Sequence, residues 1–302
     1  MTQTVLILGA TGRFGRHAAD AFADAGWHVR GFDRQTDHLP DVAMGADVIV
    51  NAWNPTYDRW ARDVPRLTEQ VIAAARASGA TVIIPGNVYV FGENAPTRFA
   101  EDTPHLATNP LGRIRIDMEA AYRDAGIPTI NLRAGDFLDT RASGNWFDMV
   151  MAKTLPKGRL TIPGDPDVPR AWAYLPDLAR AAVALAEQRE TLAIYEDVPF
   201  PGYTLSGRDM AAAISATLGR AIRPKPMSWL PIHLARPFWP LAKGILEMRY
   251  IWSKPHHLDG EKFTRLLPEF TPTPLETALA QALAAVDVHP DKPVAGGRTL
   301  LA

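Results

Sequence analysis

The chain contains no cysteine, which excludes disulfides, thiolate nucleophiles and cysteine-based metal sites. It also lacks an excess of either charge, with 32 Lys and Arg against 33 Asp and Glu and a net charge of −1. A nucleic-acid binder carries a basic stripe, so nucleic acid is not expected as a partner. Long apolar runs are missing as well. The richest stretch, Trp229 to Trp252, is broken by Pro231, Pro237 and Pro240 and carries His233, Arg236, Lys243, Glu247 and Arg249. A membrane span needs about 20 uninterrupted apolar residues. The stretch therefore reads as broken helices over a pocket, with a membrane-surface role as the lesser alternative; no membrane partner is expected. His256 and His257 sit in a proline-flanked turn without metal-ligand spacing to carboxylates, so no metal site is expected. The first strand begins within a few residues of Met1, which predicts no signal peptide and a cytoplasmic location. No internal repeat or low-complexity tract is visible.

What is present begins with TVLILGATGRFGRHAADAFADAGWHVRGFDR, Thr4 to Arg34. Val5 to Leu8 form an apolar run of the kind buried on both faces of a parallel sheet. Gly9, Gly12 and Gly15 follow at three-residue spacing. Phe14 to Ala25 then reads as a helix with Ala18, Ala19, Phe22 and Ala23 on one face, ending at Gly26. His28 to Asp33 reads as a second strand that closes on an acid. Glycines allow a sharp turn, a close ligand and a close helix. The helix start offers N–H groups and a positive dipole end to a pyrophosphate. Asp33 lies where a carboxylate binds a ribose diol. Gly9, Thr11, Gly12, Arg13, Phe14, Gly15, Asp33 and Arg34 are thus the expected cofactor-binding residues. Asp33 favours NAD, whereas Arg34 and Arg13 would attract the 2′-phosphate of NADP; the balance leans weakly to NAD.

Downstream, strands alternate with helices: Asp47 to Ala52, Trp60 to Ala77, Thr81 to Ile84, Leu111 to Ala125, and Thr129 to Leu132. This alternation predicts an α/β fold with a doubly wound parallel (Rossmann) sheet. Only Gln35 to Ala46 separates the second strand from the third, so the first half of the sheet is abbreviated. The Rossmann domain is expected over 1–140, completed by about 170–197. A smaller, mixed substrate-binding region is expected over 141–169 and 198–302, within a chain of 302 residues that is 47 % apolar.

The GxxGxxG turn, the VFG at Val90 to Gly92, NPLGRIRIDME from Asn109 and RAWAYLPDLA from Arg170 together resemble the extended or atypical short-chain dehydrogenase/reductase superfamily, with its NAD-dependent epimerases and dehydratases. The resemblance covers nearly the whole chain. It implies that Asn51, Ala52 and Trp53 back the cofactor, although they also read as the start of a loop. Members of that family work with Ser or Thr, Tyr and Lys, the last two in YxxxK. Here the matching positions hold Asn87, Leu111 and Arg115. Asn87 still hydrogen-bonds a substrate oxygen, and Arg115 still supplies charge near a ribose. Leu111 moves no proton.

Tyr89 is the candidate replacement acid, with a passive core role as its alternative. Asp136, where family members place a substrate-contacting Asn, is a second candidate base. Arg170 matches an arginine that grips nucleotide-sugar phosphate, with a bland strand-end role as its alternative. The expected catalytic residues are Tyr89, Asn87, Arg115 and Asp136, and Asn87, Tyr89, Asp136 and Arg170 are expected to bind substrate. Two functions stay open: an NAD(P)-dependent epimerase, dehydratase or reductase-like enzyme acting on a small polar molecule such as a nucleotide sugar, or an inactive NAD(P)-binding sensor. A homodimer is compatible with either.

Overall fold

The computed structural model describes residues 2–288; the end of the expected substrate region, 289–302, lies outside the described residues. In chain order, β1 (Thr4–Leu8) leads through the glycine turn into α1 (Arg13–Asp24), then β2 (His28–Gly31), the short α2 (Leu39–Ala43) and β3 (Val48–Asn51). There follow α3 (Trp60–Ser78), β4 (Thr81–Gly86), the two-residue β5 (Arg98–Phe99), α4 (Pro110–Asp124) and β6 (Thr129–Arg133). The second half holds β7 (Asp136–Leu138), β8 (Arg159–Ile162), β9 (Arg170–Tyr174), α5 (Leu175–Glu187), β10 (Tyr195–Pro199) and β11 (Tyr203–Leu205). It continues with α6 (Gly207–Leu218), β12 (Arg223–Pro226), α7 (Leu230–Ala235), α8 (Pro240–Glu247), β13 (His257–Leu258), α9 (Glu261–Leu266) and α10 (Leu275–Ala284).

Six strands form one parallel sheet in the order β10-β6-β4-β3-β1-β2. The period-two alternation of a strand sorts its side chains between two cores. Leu6, Leu8, Ile49, Val82 and Ile84 face one side with Trp60, Val64 and Val71 of α3 and Tyr122 of α4. Val5, Ile7, Val48, Val50 and Ile83 face the other with Phe14, Ala18 and Phe22 of α1 and Leu178 and Ala182 of α5. Both faces are covered, which is why these strands are continuously apolar.

The abbreviated first half is real. Residues between β2 and β3 form only α2, and β2 is the edge strand of the sheet. The second strand also stops at Gly31 rather than running to Asp33. With nothing beyond it to pair with, the chain turns away, and Asp33 sits two residues past the strand. The order reverses between β1 and β3, and their carboxyl ends are where open α/β sheets bind ligands.

The rest of the chain builds a smaller mixed layer. β9 pairs antiparallel with β11 and parallel with β7, and β8 pairs with β12. In contrast, α5 and β10 return to the central sheet, β10 beside β6. Among the described residues, no helix is long and apolar enough to cross a membrane.

Gly15 shows how tightly α1 is seated. A Cβ there would collide with the carbonyl carbon and oxygen of Gly9 and crowd the Cα of Ala10, all of them backbone atoms. Gly15→Ala is expected to lower the unfolding free energy by about 1–3 kcal/mol, measured by urea denaturation. A wild-type midpoint would contradict this packing.

Candidate active site

The first part of the site is the turn after β1. Gly9 adopts φ +83°, a left-handed conformation that glycine takes without steric cost. Gly12 caps α1 with no side-chain hydrogen bond, and its own N–H donates to the Gly9 carbonyl at 2.9 Å. The start of α1 is thus uncapped by any side chain, the arrangement that receives anionic groups. A Cβ on Gly12 would meet only the Gly9 oxygen, at 3.1 Å. Thr11 is exposed on this turn, while the Phe14 ring is buried in the core beneath it, leaving its backbone at the helix start.

Trp53 lies against this turn, its Cδ1 3.2 Å from where a Gly9 Cβ would stand. The indole meets Phe32 edge-on at 5.5 Å, and the Arg34 guanidinium sits over it at 4.7 Å. The short β2–β3 connection thereby supplies an aromatic and cationic wall. Ala52 closes the turn from below through its carbonyl. Asn51 is buried and donates to the Tyr122 hydroxyl at 3.0 Å, so its side chain braces β3 against α4. Asp33 is exposed and accepts the Gln35 N–H at 2.9 Å. Arg13 is committed elsewhere, donating to the carbonyls of Ser143 at 2.9 Å and Gly144 at 2.6 Å.

The segment held by Arg13 is also tied one turn deeper. Asp139 pairs with Arg16 and accepts from His17 at 2.9 Å. Burial alone would raise the Asp139 pKa, but hydrogen bonds from His17, Arg16 and Ser143 outweigh it and bring it to about 2. Three residues of α1 thus clamp 139–144 beside the glycine turn.

The second part gathers at the carboxyl ends of β3 and β4. Tyr89 lies in a single helical turn, Tyr89–Phe91, just past β4. Its hydroxyl shares a 2.6 Å hydrogen bond with the hydroxyl of Tyr57, which lies in a similar turn past β3. Burial pushes the Tyr89 pKa well up, with the neighbouring Tyr57 adding to it; burial also raises Tyr57. Arg115 does not hydrogen-bond either phenol. Its guanidinium stacks on Trp60 at 4.1 Å and donates to Asn54 at 2.7 Å, and its charge opposes the rise at both tyrosines. Asn87 accepts the Tyr89 N–H at 3.0 Å on its side-chain oxygen.

Leu111 is buried at the start of α4. Its Cδ1 lies 3.2 Å from the Cβ position of Gly244 on α8, and Tyr57 abuts the same glycine. Glu247 at the end of α8 accepts the Leu111 N–H at 2.6 Å and the Asn109 amide at 2.8 Å. The start of α4 is therefore capped by a carboxylate from α8, which seals position 111 under that helix.

Asp136 and Arg170 form an ion pair with each other. Arg170 is buried rather than exposed at its strand end, and its guanidinium sits over Trp252, 3.3 Å from the ring centre. Burial raises Asp136 and the Arg170 charge opposes it. Behind both clusters, the fully buried Arg133 donates to Glu119 at 2.8 and 3.0 Å, pairs with Asp197, and donates to the Asn87 carbonyl at 2.6 Å. His105, Glu119 and Asp197 come together as metal ligands do, but the guanidinium of Arg133 already bonds both carboxylates.

Sequence reasoning missed Tyr57 and Glu247. The run WNPTYDRW directly after β3 was the available signal for Tyr57, since aromatic residues concentrated at a strand's carboxyl end face the ligand crevice. Nothing local marks Glu247, whose partners are 136 and 138 residues away.

No family model matches the chain, and no curated protein matches it in sequence. Solved structures do match. MoeE5 in complex with UDP-glucose and NAD superimposes with a TM-score of 0.72 at 16 % identity, over 93 % of this chain and 98 % of that one. UDP-glucuronic acid 4-epimerase from Bacillus cereus, in complex with NAD, gives 0.71 at 18 % identity over 93 % and 94 %. The dTDP-4-dehydrorhamnose reductase from Yersinia enterocolitica gives 0.66 at 19 % identity over 94 % and 99 %.

The fold is the one these solved structures share.

Within this fold the clamp on Asp139 has a measurable signature. A carboxylate whose pKa falls on folding stabilises the protein above its unfolded value near 3.9, and that stability is lost as pH drops towards about 2. Asp139→Asn is expected to flatten the pH dependence of the melting temperature across this window. Identical acid profiles for variant and wild type would refute the clamp.

Proposed function

We propose that this chain is an NAD(P)-dependent oxidoreductase or epimerase acting on a small polar molecule, with nucleotide sugars as the substrate class. The observation that carries the reading is the half-buried Tyr57–Tyr89 hydrogen bond at the carboxyl ends of β3 and β4, in the same parallel sheet whose first strand ends in the glycine turn. The complexes of MoeE5 and the Bacillus cereus epimerase with NAD support a dinucleotide over the turn. Gly9, Gly12 and Gly15 fit one, because without side chains the backbone of the turn packs tightly on itself and on Trp53 and leaves the uncapped start of α1 to face a ligand. NAD is favoured over NADP. Arg13 is held by two carbonyls and Arg34 by Trp53, while the exposed Asp33 carboxylate would bind a diol and repel a phosphate.

When bound, the dinucleotide supplies hydride transfer. The protein's own residues must then manage the proton. Of two phenols sharing one hydrogen bond, one accepts, and its own O–H remains available to a substrate oxygen. Both phenols are protonated at neutral pH, as tyrosines ordinarily are, so the resting pair has a proton to give to a carbonyl oxygen and none of its oxygens is a ready base for an alcohol. Arg115 pulls the other way through its charge. Asn87 and the Asp136–Arg170 pair border the substrate side, contributed with regions 141–169 and 198–302. A cytoplasmic location, a homodimer and the absence of nucleic-acid partners belong to the same proposal.

A cofactor sensor without turnover is the second reading, favoured by one fact: the position of the usual tyrosine is Leu111, sealed beneath α8. Two experiments separate the readings. Gly12→Val is expected to abolish NAD binding in calorimetry, because its side chain would occupy pyrophosphate space; wild-type affinity would reject the cofactor site. On a panel of UDP- and dTDP-sugars with product analysis, Tyr89→Phe and Tyr57→Phe should each cut turnover by about 10²–10⁴-fold with NAD affinity unchanged. A loss below roughly tenfold would reject the acid role, and binding without turnover of any sugar would favour the sensor.

A further inference from the structure

The turn that follows β12 carries the most exposed apolar side chains of the described residues. Leu230 is 62 % exposed, Leu234 68 % and Phe238 90 %. They recur every fourth residue along α7 and the turn that continues it, where the Phe238 N–H donates to the Ala235 carbonyl, so they line one side. Large exposed apolar side chains are ordinary when scattered and informative when grouped.

Charge narrows the occupant. From Lys225 to Arg249 the chain carries four cations, Lys225, Arg236, Lys243 and Arg249, all exposed. Its one carboxylate, Glu247, is turned inward to α4. None of the four cations makes an ion pair among the described residues. The whole protein has a net charge of −1, so this basic concentration is local. A second copy docked on the same face would bring like charges together, because a two-fold interface sets a patch against itself. Exposed apolar side chains in a segment whose exposed charges are basic instead match the headgroup boundary of an anionic bilayer.

We propose that the α7 tip is a membrane-surface anchor that inserts Leu230, Leu234 and Phe238 at an anionic lipid interface. The tip is rigidly based. Trp229 at its root is buried and donates its indole N–H to the Pro163 carbonyl at 2.7 Å, with Arg249 over the ring at 5.3 Å. The anchor is also continuous with the cover of the candidate site, since α8 follows it directly and packs Gly244 on Tyr57 and Leu111. It lies on the protein, not across the bilayer, in keeping with the lack of a spanning helix. The inference stands independently of the cofactor reading.

The test is vesicle co-sedimentation of the full chain. Vesicles would be phosphatidylcholine alone or phosphatidylcholine mixed equally with phosphatidylglycerol, at low salt and at about 0.15 M. Wild type is expected to partition at least roughly tenfold better to the anionic vesicles, and less so at the higher salt. Leu234→Ser with Phe238→Ser should lower that partition by roughly tenfold or more, since two inserted apolar side chains are lost. Both sites are exposed, so thermal melts should match wild type. Arg236→Gln with Lys243→Gln should weaken the preference for anionic lipid. The proposal falls if wild type stays in the supernatant with anionic vesicles at low salt. It also falls if the serine variant sediments like wild type, or if wild type is a dimer that the serine variant dissolves, which would assign the face to a second copy.

Discussion

One buried guanidinium ties together the strand ends around Asn87 and Tyr89. Arg133, at the carboxyl end of β6, has no access to water and reaches α4 through Glu119, β10 through Asp197 and the β4 loop through the Asn87 carbonyl. Two buried carboxylates require a cation between them, and removing one partner of such a group typically costs about 3–5 kcal/mol. The arrangement leaves little freedom for Asn87, and hence for Tyr89, whose N–H bonds the Asn87 side chain. A nearly buried charge network thus positions Tyr89, and through it the Tyr57–Tyr89 pair.

The glycine turn rests on a different constraint, the absence of side chains. Gly9, Gly12 and Gly15 let α1 approach β1 to backbone contact, and Arg13, Arg16 and His17 on the first turns of α1 then clamp 139–144. The glycine turn and the strand ends around Tyr89 meet through aromatic residues. Trp53 lies on the glycine turn, and Tyr57 and Trp60, a few residues on, touch Tyr89.

How much of this could be read from the residues depended on range. The sheet, the glycine turn and most helix limits were legible because they arise from patterns a few residues long: apolar alternation, glycine spacing, a stop at Gly79. The departure at Leu111 was legible for the same reason, as one position in a known spacing. Its burial was not, because Gly244 and Glu247 come from more than a hundred residues later. Tyr89 was legible as a candidate, but its partner Tyr57 is 32 residues away across two strand ends. Arg13 read as a phosphate ligand because its carbonyl partners are 130 and 131 residues distant. Asp136 and Arg170 were proposed separately, and their ion pair appears only once β7 lies beside β9.

The central claim is that Tyr57 and Tyr89 act as one half-buried unit sharing a hydrogen bond, in the proposed site that also holds the glycine turn. Carbon-13 NMR of ring-labelled tyrosine, assigned with the two phenylalanine variants, measures this without a known substrate. The account predicts that neither phenol titrates at the ordinary value of about 10, that each signal shifts when the other tyrosine is replaced, and that adding NAD perturbs both. Independent titration of the two near 10, with no response to NAD, would contradict it.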